Sequence, residues 1–513
     1  MHTKIFSATT IGVNTHTVEV EVDLSYGLLQ FFIVGLPDAA IKESRQRVQT
    51  ALKNCAIKLP ERKITVNLAP ADLKKEGTTF DLAIAIGIVH AAGIVIIDSL
   101  FLQETFFLGE LSLDGTIKPV KGALPIAYDA PALGKKRVIV PLHNAQEAAL
   151  PGQVEVIGVQ TLQELLSYLR KDIALAPTQS THPHSVLNKK EYIKNFQQVK
   201  GQTVAKRALQ IAAAGRHNIL FIGSPGSGKT MLAERLSSIM PPMTFDEILQ
   251  TSKVYSISGK LERKPLIIER PFRNPHHTIS QAGLVGGGTY PQPGEISLAH
   301  NGILFLDELT EFKREVLEVL RQPLEEHTVC IARAQHTISF PASFMLVAAL
   351  NPCPCGFLGD KRKHCICTPQ QVKRYIAKIS GPLLDRIDLQ VPVPSVDYDT
   401  IVNTTVPQTS SEELYMYVEQ AVEIQRTRNN GSWNAHLNPQ MIELHCALSG
   451  TCTSLVKKAF DKLYLTMRGY HKLLRIARTI ADLEKSENIQ EHHLKEALLY
   501  RSLDHTLEKE YMI

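Results

Sequence analysis

The chain has no low-complexity tract, little surplus of charge of either sign, and no apolar run long enough to cross a bilayer. Its formal net charge of +5 is too small to demand a nucleic-acid partner, although it permits one. The longest apolar stretch, Leu82 to Ile97, carries His90 and two glycines and is flanked by Asp81 and Asp98. A spanning helix needs about 20 apolar residues, so this stretch reads as a buried core segment and no membrane association is expected. The opening MHTKIF has no signal-peptide pattern. Eight cysteines, four of them in one cluster, do not make a secreted disulfide frame. A reducing, cytoplasmic location is the expectation. With 44% apolar and 21% charged residues among 513, the composition is that of an ordinary globular protein. The length suggests roughly three domains.

What the sequence does have is GSPGSGKT: Gly223, Ser224, Pro225, Gly226, Ser227, Gly228, Lys229 and Thr230. It follows the apolar run Ile219 to Ile222 and leads into MLAERL, which reads as strand, glycine-rich loop and helix. This is the P-loop pattern G-x-x-x-x-G-K-[ST]. Its backbone N–H groups turn onto phosphate oxygens, and the helix N-terminus adds partial positive charge. All eight residues are expected to bind ATP, with Lys229 on the β- and γ-phosphates and the Thr230 hydroxyl on Mg²⁺. A plain strand-to-helix turn would not require the whole pattern with these flanks. Further on, Ile303 to Leu306 runs into Asp307 and Glu308. An apolar strand ending in two acids fits the Walker B site, where Asp307 holds Mg²⁺ through water and Glu308 polarises the attacking water. Acids buried at a strand end are costly unless a metal or hydrogen bond compensates. The alternative is a helix N-cap following a strand.

Residues 1–170 read as an α/β unit. Val18 to Val22 alternates strictly and predicts a half-buried strand, while Ile64 to Leu68 and Arg137 to Val140 predict further strands. Ile41, Val48 and Leu52 fall on one face of a helix beginning near Asp38. LKKEGTTFDLAIAIG (Leu73–Gly87) and LDGTIKPVKGAL (Leu113–Leu124) together resemble the proteolytic domain of Lon. There the first pattern carries a nucleophilic serine and the second a lysine base, positions matched here by Thr79 and Lys118. A threonine hydroxyl beside a lysine of lowered pKa can act as a nucleophile. Threonine nevertheless departs from the Lon pattern, because β-branching restricts how its hydroxyl is aimed. Phe80 and Asp81 also replace the small residues that follow the Lon serine. The resemblance implies a Lon-like fold without protease chemistry, with proteolysis as the alternative. Residues 171–195, including ALAPTQSTHPHS, read as a linker.

VKGQTVAKRALQIAAAGRHNILFIG (Val199–Gly223) predicts a helix feeding the P-loop strand, the usual opening of an AAA+ ATPase. Between the Walker motifs lies Pro271–Gly302, whose prolines and glycines exclude one continuous element. Loops of that length are often functional. Together with LDELTEFKREVLEVLRQPLEEHTVCIARA (Leu306–Ala334), this segment resembles the Mg-chelatase-related AAA+ family. More narrowly it resembles the ComM/YifB branch, over essentially the whole chain. The resemblance implies an α/β fold with a Lon-like N-terminal domain (1–170), a linker (171–195), an AAA+ core (196–400) and a helical lid (401–513).

It also carries roles over by residue. Gln281–Glu295 matches a helix-2 insertion facing the pore of a ring, and Thr328–Phe340 matches a β-hairpin with Arg333 near its tip. In related ring helicases both elements touch DNA; an intersubunit salt bridge is the other reading of Arg333. Phe344–Leu350 is a buried central strand by composition, and Asn351 after it matches the sensor-1 position that orients the lytic water. In SGPLLDRIDL, Arg386 matches the arginine finger that reaches a neighbour's γ-phosphate; a local pair with Asp385 or Asp388 is the alternative. Glu412–Arg428, Asp461–Leu483 and Glu491–Ser502 have helical spacing and predict the lid. Within it Arg468 matches the sensor-2 arginine, binding the γ-phosphate in cis, with Arg475 as the second choice.

Cys353, Cys355, Cys365 and Cys367 form C-x-C, nine residues, C-x-C. The common zinc pattern has two residues between paired cysteines, so the four either close a structural Zn²⁺ site, with His364 in reserve, or stand as reduced thiols. The adjoining Lys361, Arg362 and Lys363 are a solvated face or a contact for DNA phosphates. For the whole chain the branch implies a homo-oligomeric ring, a hexamer, that hydrolyses ATP and acts as a DNA helicase. Its task there is branch migration on single-stranded or branched DNA during natural transformation, without sequence readout. A Lon-like protease and a chelatase-type motor working on protein partners are the competing classes.

Overall fold

The computed structural model describes residues 2–180, 194–261, 266–288, 291–332, 337–360, 362–398, 400, 408–462 and 465–501, apart from single positions 29, 37, 60, 72, 74 and 76. The first half is built on a seven-stranded mixed sheet. Its order is Phe31–Val34, Lys63–Ala69, Asn14–Ser25, His2–Ile11, Thr105–Phe107, Arg137–Pro141 and Glu155–Val159. The alternation of Val18, Val20 and Val22 puts all three on one buried face. Against that face pack the helices Ala39–Asn54 and Asp81–Ala91. Asp38 caps the first, its carboxylate accepting from the Ile41 N–H at 2.8 Å, and Ile41, Val48 and Leu52 are fully buried, as the spacing predicts. The apolar stretch from Leu82 becomes the core of the second helix.

The second sheet has five strands, all parallel, in the order Phe272–Arg273, Ile303–Leu306, Met345–Leu350, Ile219–Ile222 and Leu389–Pro392. The P-loop strand and the Walker B strand are therefore not neighbours. The all-apolar strand Met345–Leu350 lies between them, paired Ile222 to Leu350 on one side and Leu306 to Ala348 on the other. That insertion sends three chain ends, at Gly223, Asp307 and Asn351, out of one edge of the sheet together. Ligands of open parallel sheets bind beyond such carboxyl ends.

One hydrophobic cluster runs from this sheet through Thr203–Gly215 and Lys229–Ile239 into the C-terminal helices Ser411–Arg428 and Met467–Leu483. The helical spacing from Asp461 to Leu483 covers two helices rather than one. Gly450–Lys462 ends, and Thr466 caps a new helix from Met467 by accepting from the Gly469 N–H. The hairpin Thr328–Ala332 with Thr337–Pro341 forms as expected, but Arg333 lies outside the described residues, as does Lys361. The two halves of the molecule touch through Leu124 and Leu150, which pack on Met243, Ile248 and Leu249. Gly12, at the turn between the first two strands, approaches the same hairpin so closely that a Cβ there would sit 2.8 Å from Ile338 Cγ2. Among the described residues no helix is long and apolar enough to cross a membrane.

Candidate nucleotide site

The strand Ile219–Ile222 ends in a loop that turns directly into the helix Lys229–Ile239. Gly228 makes the turn at φ 94°, a left-handed conformation that a side chain would strain. Lys229 is buried, and its ammonium is held by three acceptors around the loop: Gly223 O at 2.6 Å, Ser224 O at 3.0 Å and Asn351 Oδ1 at 3.1 Å. Burial lowers its pKa, while Asp307 and Glu308 work in the opposite direction. The Thr230 hydroxyl donates to Asp307 Oδ2 at 2.7 Å. A hydroxyl and a carboxylate meeting beside a phosphate loop are hard oxygen donors of the kind Mg²⁺ takes, so the residues present fit that ion. Glu308 stands beyond them, exposed, with φ 51° and its own N–H on Asp307 Oδ1 at 2.9 Å. Its carboxylate is 3.7 Å from His277 Nδ1, a neighbour that sequence reasoning missed.

Arg386 and Arg468 are brought together, but not here. Both reach the carboxylate of Glu325: Arg386 Nη2 at 2.9 Å, and Arg468 Nη2 in a closer pair. Arg386 also donates to the carbonyls of Arg321 and Pro382, and Arg468 lies 3.4 Å from Asp385. None of these partners belongs to the P-loop or the Walker B pair, so Arg468 does not take up the cis position expected of it. The local pairing weighed for Arg386 is also not found. Asp388 is taken by Lys472 at 2.9 Å and lies 3.4 Å from His217. Arg475, the second choice, is turned onto the Leu437 carbonyl.

The four cysteines converge. Cys353 Sγ is 3.3 Å from Cys355 Sγ and 3.6 Å from that of Cys365, and all four sulfurs lie within 4.8 Å of one another without a disulfide. His364 is exposed and outside the group. Burial raises the Cys355 thiol, but backbone N–H groups of Phe357 and Ile366, together with hydrogen bonds from the Cys353 and Cys367 thiols, bring its pKa down to about 6. In the N-terminal half, Lys118 pairs across a short hairpin with Glu110, whose carboxylate accepts from the Thr78 hydroxyl. The next acid, Asp81, is fully buried and held by Arg47 Nε at 2.8 Å. Burial raises the pKa of Asp81, against the pull of Arg47.

A P-loop and a carboxylate pair flanking an asparagine strand, on this parallel sheet with a helical C-terminal region, define a P-loop ATPase of the AAA+ class. Comparison narrows this. The chain matches "Magnesium chelatase, subunit ChlI" over residues 195–401, "Subunit ChlI of Mg-chelatase" over 20–144, and "Magnesium chelatase, subunit ChlI C-terminal" over 408–501. Competence protein ComM of Haemophilus influenzae is 44% identical over 506 residues, 98% of each chain. The uncharacterized protein YifB of Escherichia coli is 40% identical over 497 residues, 97% of this chain and 96% of that one. Lon protease 2 of Bacillus subtilis is 32% identical over 150 residues, 29% of this chain and 26% of that one. The chain belongs to the ComM/YifB branch of the Mg-chelatase-like AAA+ ATPases and is an ATP hydrolase of that family.

Proposed function

We propose that this ATPase is a cytoplasmic ring motor, a hexamer, that moves along single-stranded or branched DNA and drives branch migration during natural transformation and recombination. The observation that carries the reading is the near-full-length match to a competence protein, with every expected ATPase position filled. Gly223 to Thr230 bind ATP. Mg²⁺, held by Thr230 and Asp307, supplies charge neutralisation at the phosphates. Glu308 accepts the proton of the attacking water, Asn351 orients that water, and Lys229 holds the phosphate tail. Arg386, with Arg468 beside it on Glu325, reaches the nucleotide of the next subunit. The hairpin Thr328–Phe340 contacts DNA backbone through the cation Arg333, and the glycine-rich insertion 281–295, which has no Lys or Arg, through backbone N–H groups, with no base readout. Zn²⁺ in the four-cysteine cluster belongs to the same reading. So do the four-part division at residues 170, 195 and 400 and a Lon-like fold for the first part, supported by the partial likeness to Lon protease 2.

Against proteolysis stands Asp81, fully buried and paired with Arg47, two residues after Thr79 where Lon has small residues. The test is ATPase rate with and without single-stranded and forked DNA, with Glu308→Gln as control. The expected result is strong stimulation that disappears in the variant, on the order of 10³-fold below wild type. ATPase indifferent to DNA would overturn the helicase reading and turn attention to protein substrates.

A further inference from the structure

The loop that carries the four cysteines is also a wall of the nucleotide site. It begins at Asn351, which accepts from Lys229, and has no helix or strand among its described residues until Pro369. Two further contacts press it onto the P-loop. Gly356, at φ 82°, passes so close to Pro225 that a Cβ there would sit 2.6 Å from the proline Cδ. Asp360 faces Ser224: one of its carboxylate oxygens accepts from the Arg362 N–H at 2.7 Å, while the other is buried without a well-aligned donor. The Ser224 hydroxyl is the first cause holding the Asp360 pKa down to about 2. A segment with no ladder of its own needs some other closure to hold three such contacts in register.

The sulfurs provide one. Zn–S bonds of about 2.3 Å in a tetrahedron place the sulfurs about 3.8 Å apart. The three separations among Cys353, Cys355 and Cys365 are 3.3, 3.5 and 3.6 Å, far too long for disulfides and close to that figure, and the Cys367 sulfur lies within 4.8 Å of each. Asn351 stands two residues before Cys353, while Gly356 and Asp360 lie between the pair Cys353 and Cys355 and the pair Cys365 and Cys367, so one metal closes the part of the loop that meets Ser224 and Pro225. We propose that Zn²⁺ bound by Cys353, Cys355, Cys365 and Cys367 braces Ser224 and Pro225 from outside, so that nucleotide affinity depends on the metal. The bound zinc is thus a structural part of the ATP site, and its loss weakens the motor at the binding step.

The inference rests on the P-loop reading, and the test separates the two. Full-length protein is assayed for zinc by mass spectrometry and for affinity with the fluorescent analogue mant-ATP. Lys229→Ala must abolish binding; if wild type binds no analogue, the nucleotide site itself fails. Wild type is expected to carry about one zinc per chain. Stripping it with a chelator should weaken mant-ATP binding on the order of tenfold, and zinc added back should restore it. Cys365→Ser with Cys367→Ser should lose both metal and affinity. Asp360→Ala should keep its zinc yet still bind the analogue more weakly, an outcome that general misfolding would not give. Protein that binds no zinc in titration overturns the metal site. Protein whose analogue affinity is the same stripped and loaded overturns the coupling.

Discussion

Glu147 shows what burial does to a single carboxyl group. It is 7% exposed and accepts from Asn144 Nδ2 at 2.7 Å, while Asn144 also spans the N–H and carbonyl of Val120. Burial pushes the Glu147 pKa up to about 7, and the Asn144 hydrogen bond only partly opposes it. The folded value thus lies above the unfolded one. Below the unfolded pKa, about 4.3, the group is protonated in both states and costs nothing. Between that value and the folded one the unfolded chain is ionised while the folded chain keeps its proton, so stability falls as pH rises, by about 4 kcal/mol once the folded pKa is passed. The N-terminal half of wild type should therefore melt lower at about pH 8 than at about pH 5, and Glu147→Gln should remove most of that difference. Scanning calorimetry at the two pH values checks this; equal slopes for the two proteins would refute the assignment. Glu308 is the contrasting case, exposed beside the buried Lys229 and in a left-handed conformation that costs about 1–3 kcal/mol. Its carboxylate is open to solvent, 3.7 Å from His277 Nδ1.

At the scale of elements, the helix Met467–Leu483 is fastened to the sheet by charge as well as by its apolar face. Lys472 and Asp388 form a buried pair at 2.9 Å, joining this helix to the residue before the strand Leu389–Pro392. Burial lowers the Lys472 pKa and works against its attraction to Asp388, whereas Asp388 itself is held well below the usual carboxylate range despite burial. Removing the lysine leaves a buried carboxylate with His217 at 3.4 Å, the Asn218 N–H and the more distant charge of Arg475 in place of a direct ion pair. Lys472→Ala should therefore cost about 3–5 kcal/mol, read as an earlier urea transition of the C-terminal helices by circular dichroism. A variant as stable as wild type would mean that apolar packing alone holds the helix. These elements were largely legible in the sequence. The period of Val18 to Val22, the run before Gly223 and the Asp38 cap are local signals, and local signals survive folding. Pairings that join distant segments were not. Nothing in the spacing ties Arg386 to Glu325, His277 to Glu308 or Gly356 to Pro225, because sheet order and loop packing bring them together. The same blindness explains the single helix expected over Asp461–Leu483. Apolar periodicity continues across the break, and only the Thr466 cap marks the restart.

At the scale of the whole molecule, the proposed ring makes the site of a single chain an unfinished one. Its phosphate loop, carboxylates and asparagine are assembled, while the two arginines matched to γ-phosphate contact are parked on Glu325. A guanidinium fixed there serves ATP only if a neighbouring subunit presents its P-loop to that face, and such head-to-tail contacts close into rings. This makes a mixing experiment decisive. Glu308→Gln subunits keep Arg386 but cannot activate water; Arg386→Ala subunits keep Glu308 but cannot complete a neighbour. Each alone should hydrolyse ATP at least about 10³-fold more slowly than wild type, the usual worth of a finger. Mixed in equal amounts and allowed to exchange, a site works where an Arg386→Ala subunit offers its P-loop to a Glu308→Gln neighbour. Random assembly makes that about one interface in four, so the mixture should regain about a quarter of the wild-type rate. Should the mixture stay as inactive as its components while light scattering shows mixed rings, Arg386 does not work across the interface. Its bond to Glu325 would then be structural, and the arginine that completes the site would have to be sought elsewhere in the chain.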